Sequence, residues 1–475
     1  MKKFYWQLML TGFGFSVLGY FLLLAGIEST FPAFLIALIA GGLLFGILKA
    51  RSLRASDFPL FTLPLAYTAL LWAVCMMVSF GYVGHMSWVV YSFLHFPFIP
   101  AFFISNIEGE SRIFLWAPLS FELAFFVPVM VKILFQKKGF LIPRKNSIIV
   151  LSIILLAFAS GGAVQWQRSK SVLPSYGFAY GGGYSSTDLR LYEVSNPDNK
   201  LPKLKNRSDF TINNPKQMPV LDGAEAAFPV YSAFANAVYE NIKDVSKQKD
   251  IVSFSNTIYA YERLLSEDVD IYFGAEPSVK QREMAKKAGK ELVMTPIGKE
   301  AFVFFVNQHN PIDSLSVSDI KGIYSGGIKN WAQLGGKSDR IVAFQRPEDS
   351  GSQTLLEKIM ADQPIIKPMK EEVPAGMGGI IEQVADYRNF ENAIGFSFRF
   401  FATGMRDSSN IKLLAINGVK PDPENISSRS YPFTASLYAI TLKSNKNKTI
   451  TPFLNWMKGP QGQKLVEDVG YIKKG

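Results

Sequence analysis

Residues 345–354 read Gln345-Arg346-Pro347-Glu348-Asp349-Ser350-Gly351-Ser352-Gln353-Thr354, and LLEKIM follows. Leu355, Leu356 and Ile359 make a helical stripe, so the spacing predicts a helix that starts near Gly351 with Ser350 as its N-cap. A helix start offers unpaired backbone N–H groups and the positive end of the dipole, and both attract an anion. Ser350 and Ser352 add hydroxyl donors, Gly351 lets the backbone come close, and Arg346 can present a two-pronged fork to two oxyanion oxygens. The stretch reads as a clamp for a tetrahedral oxyanion. Its plain alternative is an ordinary capped helix beside an exposed arginine.

Upstream, the pattern is strand, turn, helix, repeated. Met218 to Leu221 is a short apolar strand, Asp222-Gly223 a turn, and Pro229 opens a helix whose Phe228, Tyr231, Phe234, Ala235 and Val238 share a face. Ile251 to Phe254 reads as a second strand and Val269 to Phe273 as a third, with a helix through Tyr261 and Leu265 between them. Ala301 to Val306 (AFVFFV) reads as a buried strand. This alternation predicts an α/β fold of parallel sheets with helices on both sides, and residues 219–475 suit two lobes. The helix starts at Gly223 to Phe228 and at Ser255-Asn256-Thr257 also follow strands, where open α/β sheets bind ligands.

The whole chain has 475 residues, 48% hydrophobic and 19% charged. So much apolar surface excludes disorder for the bulk. A lone Cys75 excludes an internal disulfide scaffold, and with only His85, His95 and His309 beside it a structural zinc site is not expected. The net charge of +11 is unevenly placed: residues 1–170 hold 13 Lys/Arg against 5 Asp/Glu, the rest 37 against 34. Basic clusters between long apolar runs mark membrane topology, and no nucleic-acid partner is expected.

The runs are Trp6 to Ile27, Pro32 to Leu48, Leu60 to Phe80, Ser87 to Ser105, Ile113 to Phe135 and Ile148 to Trp166, against about 20 residues needed to cross a bilayer. Six crossings from an inner N-terminus would place Lys137, Lys138, Arg144 and Lys145 outside, which the positive-inside rule disfavours. If Ser87 to Ser105 dips in without crossing, those residues lie inside with Lys2, Lys3, Lys49, Arg51 and Arg54. Pro97 and Pro100 in YSFLHFPFIP support that choice; six crossings remain the alternative, since membrane helices tolerate proline. Five crossings place the C-terminal part outside the cytoplasm. Glu122, in mid-run within SFELAFF, is a functional candidate that could pair with His95 or face a polar cavity; its plain alternative is a protonated glutamate bonded to a neighbouring helix.

Residues 1–166 are thus expected to form a multi-pass α-helical membrane region, 167–218 a linker and domain entry, and 219–475 the two-lobed domain. In the linker GFAYGGGYSSTD and NPDNKLPKLKNRSD are poor core formers, while LRLYEV (Leu189 to Val194) alternates like an edge strand. Gly335-Gly336-Lys337-Ser338 ends like a nucleotide P-loop, but the pattern needs glycine where Trp331 stands. His309, alone in the domain and in a turn-like NQHNP, does not serve Ser350 as a base. No enzyme activity and no cofactor is expected.

The segments LDGAEAAFPVYSAF, NTIYAYERL, VDIYFGAEPS, TPIGKEAFVFFVN, GIYSGGIKNW, QRPEDSGSQT, GMGGIIEQV, NAIGFSF and GPQGQKLVEDVGY occur in this order over 219–475. Together they resemble the substrate-binding proteins of ABC-type phosphate uptake, within the two-lobed periplasmic-binding-protein superfamily (type II). The resemblance implies lobes joined by crossover strands and closing on the anion. It implies that Arg346, Ser350, Gly351 and Ser352 match the family's Arg-x-x-x-Ser-Gly-Thr clamp, with serine for threonine. Ala227 and Phe228 match its first-loop Thr-Phe, and Thr257 with Ser255 its Ser-Ser-Gly-Gly turn. The family's aspartate, which accepts the proton of monobasic phosphate, is replaced by Ala275, with Glu276 beside it. The expected ligand is phosphate or a similar oxyanion, and the partners implied are an ABC permease and ATPase. The alternative is an extracytoplasmic anion sensor signalling through its membrane helices.

Overall fold

The computed structural model describes residues 2–24, 30–51, 58–101, 111–134, 144–173, 189–246, 250–348, 350–375, 379–385, 387–405 and 410–474. The GFAYGGGYSSTD linker, Arg54, Lys137, Lys138 and Asp349 lie outside the described residues. The chain divides into two compact units, 1–184 with 369–385, and 185–368 with 386–475.

The first unit is helical: α1 (Lys2–Leu24), α2 (Thr30–Ala50), α3 (Phe58–Ser79), α4 (Met86–Leu94), α5 (Ser111–Leu134) and α6 (Arg144–Arg168). Leu60–Ser79 and Ile148–Arg168 are, among the described residues, long and apolar enough to cross a membrane. Large apolar side chains nonetheless point outward along most of these helices, among them Trp6, Ile36, Phe93, Leu155 and Leu156. The run expected at Ser87 to Ser105 is broken. Its helix α4 has nine residues, ends at His95 and passes into a 3₁₀ turn, Phe96–Phe98, that contains Pro97. Nine residues rise about 14 Å, half the hydrocarbon thickness. Helices α2 and α5 approach through glycine: a Cβ on Gly42 would lie 2.2 Å from Phe121 O, and one on Gly46 2.6 Å from Phe125 O. Such small-residue contacts are how helices pack closely.

After α6 comes β1 (Val172–Leu173), which pairs in parallel with a strand from far along the chain, Lys370–Ala375; the latter forms an antiparallel hairpin with Gly379–Val384. Arg168, the last residue of α6, bonds Glu372 at 2.7 Å and also Glu382 of this hairpin.

The second unit is built on β2 (Leu221–Gly223), β3 (Ile271–Gly274), β4 (Leu292–Asn307), β5 (Ser314–Leu315) and β6 (Val342–Ala343). With the hairpin strands as β7 and β8, there follow β9 (Ala393–Phe398), β10 (Ile411–Leu413), β11 (Ala415–Ile416) and β12 (Thr434–Leu442). Its helices used below are α7 (Phe228–Val238), α8 (Ile242–Ser246), α9 (Thr257–Leu265), α10 (Val279–Lys287), α11 (Val317–Ser325) and α12 (Gly351–Met360). The main strand order is β2-β3-β12-β4-β9-β6 with β10 beside β4. The 16-residue β4 passes from one core to the other, pairing with β12 from Leu292 to Ala301 and with β9 from Phe302 to Val306. One core gathers α7, Phe273, Ile297 and Leu437. The other gathers Ala301 to Val306, α11 and Leu356 of α12. AFVFFV is buried as the sequence predicts.

Five expectations change. The sheets are mixed, because β4 and β12 run antiparallel to each other and to their neighbours. Ile251 to Phe254 makes only a bridge at Val252. LRLYEV forms a 3₁₀ turn, Leu189–Tyr192, and Asp222-Gly223 lies inside β2. Val194, Leu201 and Ile212 of the supposed linker are buried in the first core.

Candidate oxyanion site at a helix start

The clamp stretch forms the expected capped helix start. Ser350 is the N-cap of α12, with extended backbone, and its Oγ accepts from Gln353 N at 3.3 Å. The turn before it is tied down by two glutamines. Gln353 Oε1 accepts from Arg346 N (3.0 Å), Gln353 Nε2 donates to Gln345 Oε1 (3.3 Å), and Gln345 Nε2 to Ile366 O (2.7 Å). Ser352 and Gln353 are buried; Arg346, Ser350 and Gly351 are half-buried. The N–H groups of Gly351 and Ser352 donate to no protein acceptor among the described residues. Two orphan donors at the positive end of a ten-residue helix are what an anion needs.

Gly351 faces the end of β3: a Cβ there would lie 3.3 Å from Ala275 Cβ and 3.6 Å from the Phe398 ring. Next to Ala275, Glu276 bonds Arg282 (2.9 Å) and Lys358 of α12 (3.2 Å). Burial opposes ionisation of Glu276, but the bonds from Arg282 and Lys358 outweigh it and hold the carboxyl below its usual range. Glu276 is therefore an ionised group that ties α12 to the end of β3. Each of its two oxygens is already engaged by one of these cations.

The other expected residues are already engaged. Ala227 N donates to Ala224 O, and Phe228 N to Glu225 O, through a 3₁₀ turn, Glu225–Ala227. Those two donors are closed in this conformation. Ser255 is held by Asp222: its N–H donates to Oδ1 (2.9 Å) and its Oγ to Oδ2 (2.5 Å). Thr257 is hydrogen-bonded to Tyr272. The start of α9 is self-capped, since Asn256 Oδ1 accepts from Ile258 N and Tyr259 N. The structure thus groups Ala275, Glu276 and residues 346–352, while Ser255 and Thr257 belong to a cluster around Asp222 and Tyr272.

Asp222, fully buried and paired with Arg263, was missed, as were Asn256, Gln345, Gln353 and Lys358. Asp222 carried a signal: an aspartate in an otherwise apolar strand end requires a partner once buried. Among the described residues there is no group of three or more His, Cys, Asp or Glu that could hold a metal ion.

A family model described as the PBP superfamily domain matches residues 219–460. The phosphate-binding protein PstS of Bacillus subtilis is 29% identical over 184 residues, 38% of this chain and 58% of that protein. PstS of Borreliella burgdorferi is 23% identical over 194 residues, 40% and 68% respectively. A putative phosphate ABC transporter substrate-binding protein from Clostridium perfringens, solved with bound phosphate, is 22% identical with a TM-score of 0.41, covering 54% of this chain and 99% of that one. The chain spans less than two thirds of the Bacillus protein's length. Since the matched stretch makes up half of its sequence, this chain belongs to the PBP superfamily.

Proposed function

We propose that the chain binds phosphate or a similar tetrahedral oxyanion at the start of α12, as the membrane-anchored substrate-binding component of an ABC-type uptake system, with its permease and ATPase as partners. The observation that carries this is the pair of open donors, Gly351 N and Ser352 N, behind the Ser350 cap. Arg346 stands in the same fixed turn, and its fork adds a charge-assisted contact that a lone helix start lacks. The relatives named for phosphate binding support the choice of anion.

The membrane reading rests on the outward apolar faces of the helical unit and on its basic clusters. Five crossings, with α4 and its 3₁₀ turn dipping in, place residues 189–475 outside the cytoplasm. Residues 1–166 are on this reading a multi-pass region of the cell membrane.

A second reading, anion sensing, is favoured by one feature. The β7–β8 hairpin, which in the chain directly separates α12 from β9, is bound to β1 and to Arg168 at the end of α6. A change at the clamp would thereby pull on a membrane helix.

Calorimetry on the full chain in lipid nanodiscs with phosphate, sulfate, arsenate and molybdate tests the binding. Heat from phosphate at a one-to-one ratio is expected, and silence with all four anions would remove the oxyanion reading.

A further inference from the structure

The helical unit carries a buried polar chain that anion binding does not use. Glu122 on α5 and Thr68 on α3 are 7% and 0% exposed, and His95 at the end of α4 is 4% exposed. His95 Nδ1 lies 2.8 Å from Tyr91 O, and His95 Nε2 lies 2.9 Å from Thr68 Oγ1. The Glu122 carboxyl is hydrogen-bonded to the Thr68 side chain, while its Oε2 has no partner among the described residues. The Tyr91 hydroxyl, in range of the Glu122 charge, is likewise buried without a partner there.

Donor counting fixes what this chain can hold. A backbone carbonyl only accepts, so His95 Nδ1 carries a hydrogen. If His95 is neutral, Nε2 only accepts, and Thr68 must donate its single hydroxyl hydrogen there. Thr68 then meets Glu122 as an acceptor, and the carboxyl must bring a proton. If His95 is charged, Nε2 donates to Thr68, and the hydroxyl hydrogen turns to an ionised Glu122. Both arrangements pair every group along the chain, both are neutral overall, and they hold the same number of protons, differing only in where one of them sits. Any other loading leaves a hydrogen bond unmade or a net charge buried, each costly away from water.

We infer that Glu122, Thr68 and His95 form a relay that holds one transferable proton inside the helical unit. In the forward step the Glu122 O–H bond breaks as a new Thr68 O–H bond forms. The original Thr68 O–H bond breaks as a His95 Nε2–H bond forms, converting a neutral pair into carboxylate and imidazolium. The unpartnered Glu122 Oε2 and Tyr91 hydroxyl are where a water would join the chain and exchange the proton. Among the described residues, the titratable groups around the trio are Tyr67 of α3 and Tyr91 of α4, both in range of the Glu122 charge, and Cys75 of α3, in range of Tyr91. Helices α6 and α2, which pack on α3 and α5, bring apolar groups such as Ile154, Ala157, Gly42 and Gly46.

The test uses the full chain in lipid nanodiscs and does not depend on anion binding. Infrared spectra in light and heavy water are recorded across a pH series for wild type and Glu122→Gln, alongside nitrogen NMR of histidine-labelled protein. Only three histidines are present. The exposed His85 and His309 are assigned with His85→Gln and His309→Gln, which leaves the His95 signal in an unaltered relay. We expect a protonated-carboxyl band that Glu122→Gln abolishes and a neutral His95 of the Nδ1–H form, the two holding together across the pH series. Thr68→Val should shift the band and let the two groups titrate separately. A neutral His95 beside an ionised Glu122, an Nε2–H tautomer, or spectra unmoved by Thr68→Val would each overturn the relay. If the variants fail to fold, the tautomer and the protonated-carboxyl band in wild type still decide.

Discussion

A Cβ placed on Gly351 would lie 3.3 Å from the Cβ of Ala275, so a methyl stands at the contact between the start of α12 and the end of β3. Glu276 beside it is committed to Arg282 and Lys358. At this contact the neighbouring carboxylate is already drawn to two cations, which weakens it as an acceptor for the remaining proton of phosphate, the feature that would exclude sulfate. Wild type should prefer phosphate over sulfate by less than about tenfold, the value of one neutral hydrogen bond. Ala275→Asp should raise that ratio by about tenfold or more. Competition calorimetry reads both, and a large preference in wild type would mean another acceptor serves the site.

Arg346→Ala should weaken anion binding by about 2–5 kcal/mol, because it removes a charge-assisted fork from a desolvated anion. Ser350→Ala should cost about 1 kcal/mol, through the lost cap and one neutral contact. Equal small losses by calorimetry would place the anion away from the 346–352 turn.

Glu300 sits where β4 leaves one core for the other. It is 2% exposed and accepts from Ala301 N and Phe400 N. Burial raises its pKa to about 7, although those two donors and nearby Arg399 pull the other way. The folded chain thus keeps a proton that the unfolded chain has released. Its stabilising contribution is complete below the ordinary carboxylate range and is lost as pH rises through about 7. Hydrogen exchange of peptides from β4 and β9 should quicken over that interval in wild type. Glu300→Gln should flatten the response, and an unchanged slope would assign it to another group.

Gly42→Ala would set a methyl against Phe121 O and should destabilise the helical unit by about 1–3 kcal/mol, the usual cost of overpacking. Gly14→Ala meets nothing within 4 Å and serves as the control. Thermal unfolding in detergent should separate the two variants. Equal midpoints would mean that α2 and α5 do not pack this closely in the folded chain.

The topology can be read with a membrane-impermeant thiol reagent on intact cells, after Cys75→Ser and single cysteines at Ser185, Gly139 and Asn106. Labelling at Ser185 and Asn106 with protection at Gly139 is expected from the positive-inside rule. The reverse pattern at Gly139 and Ser185 would place the two-lobed unit in the cytoplasm and end both the uptake and the sensing readings.

What could be read from sequence was local. The Ser350 cap, the start of α12, the buried AFVFFV strand and the break at Pro97 each follow from spacing within a few residues. What could not be read joins distant residues. Nothing near Val172 announces a partner at Lys370, and the alternation of LRLYEV lost to packing of Leu189 and Tyr192 on the first core. Glu122 and His95 stood out as polar residues in apolar runs. Thr68, which joins them, looks ordinary until the helices are assembled. The Asp222–Arg263 pair was hidden because an aspartate before glycine so often marks a turn.

The return of β7 and β8 to the helical unit also bears on proteolysis. A single cut within residues 174–188 would leave the two-lobed unit attached, because its own chain re-enters the helical unit at Met369 and leaves at Ala385. Release would require the hairpin to peel from β1 and from Arg168, a step that rising salt should ease only slowly, since that arginine is 12% exposed. A shed binding domain is therefore the product of two separations rather than one.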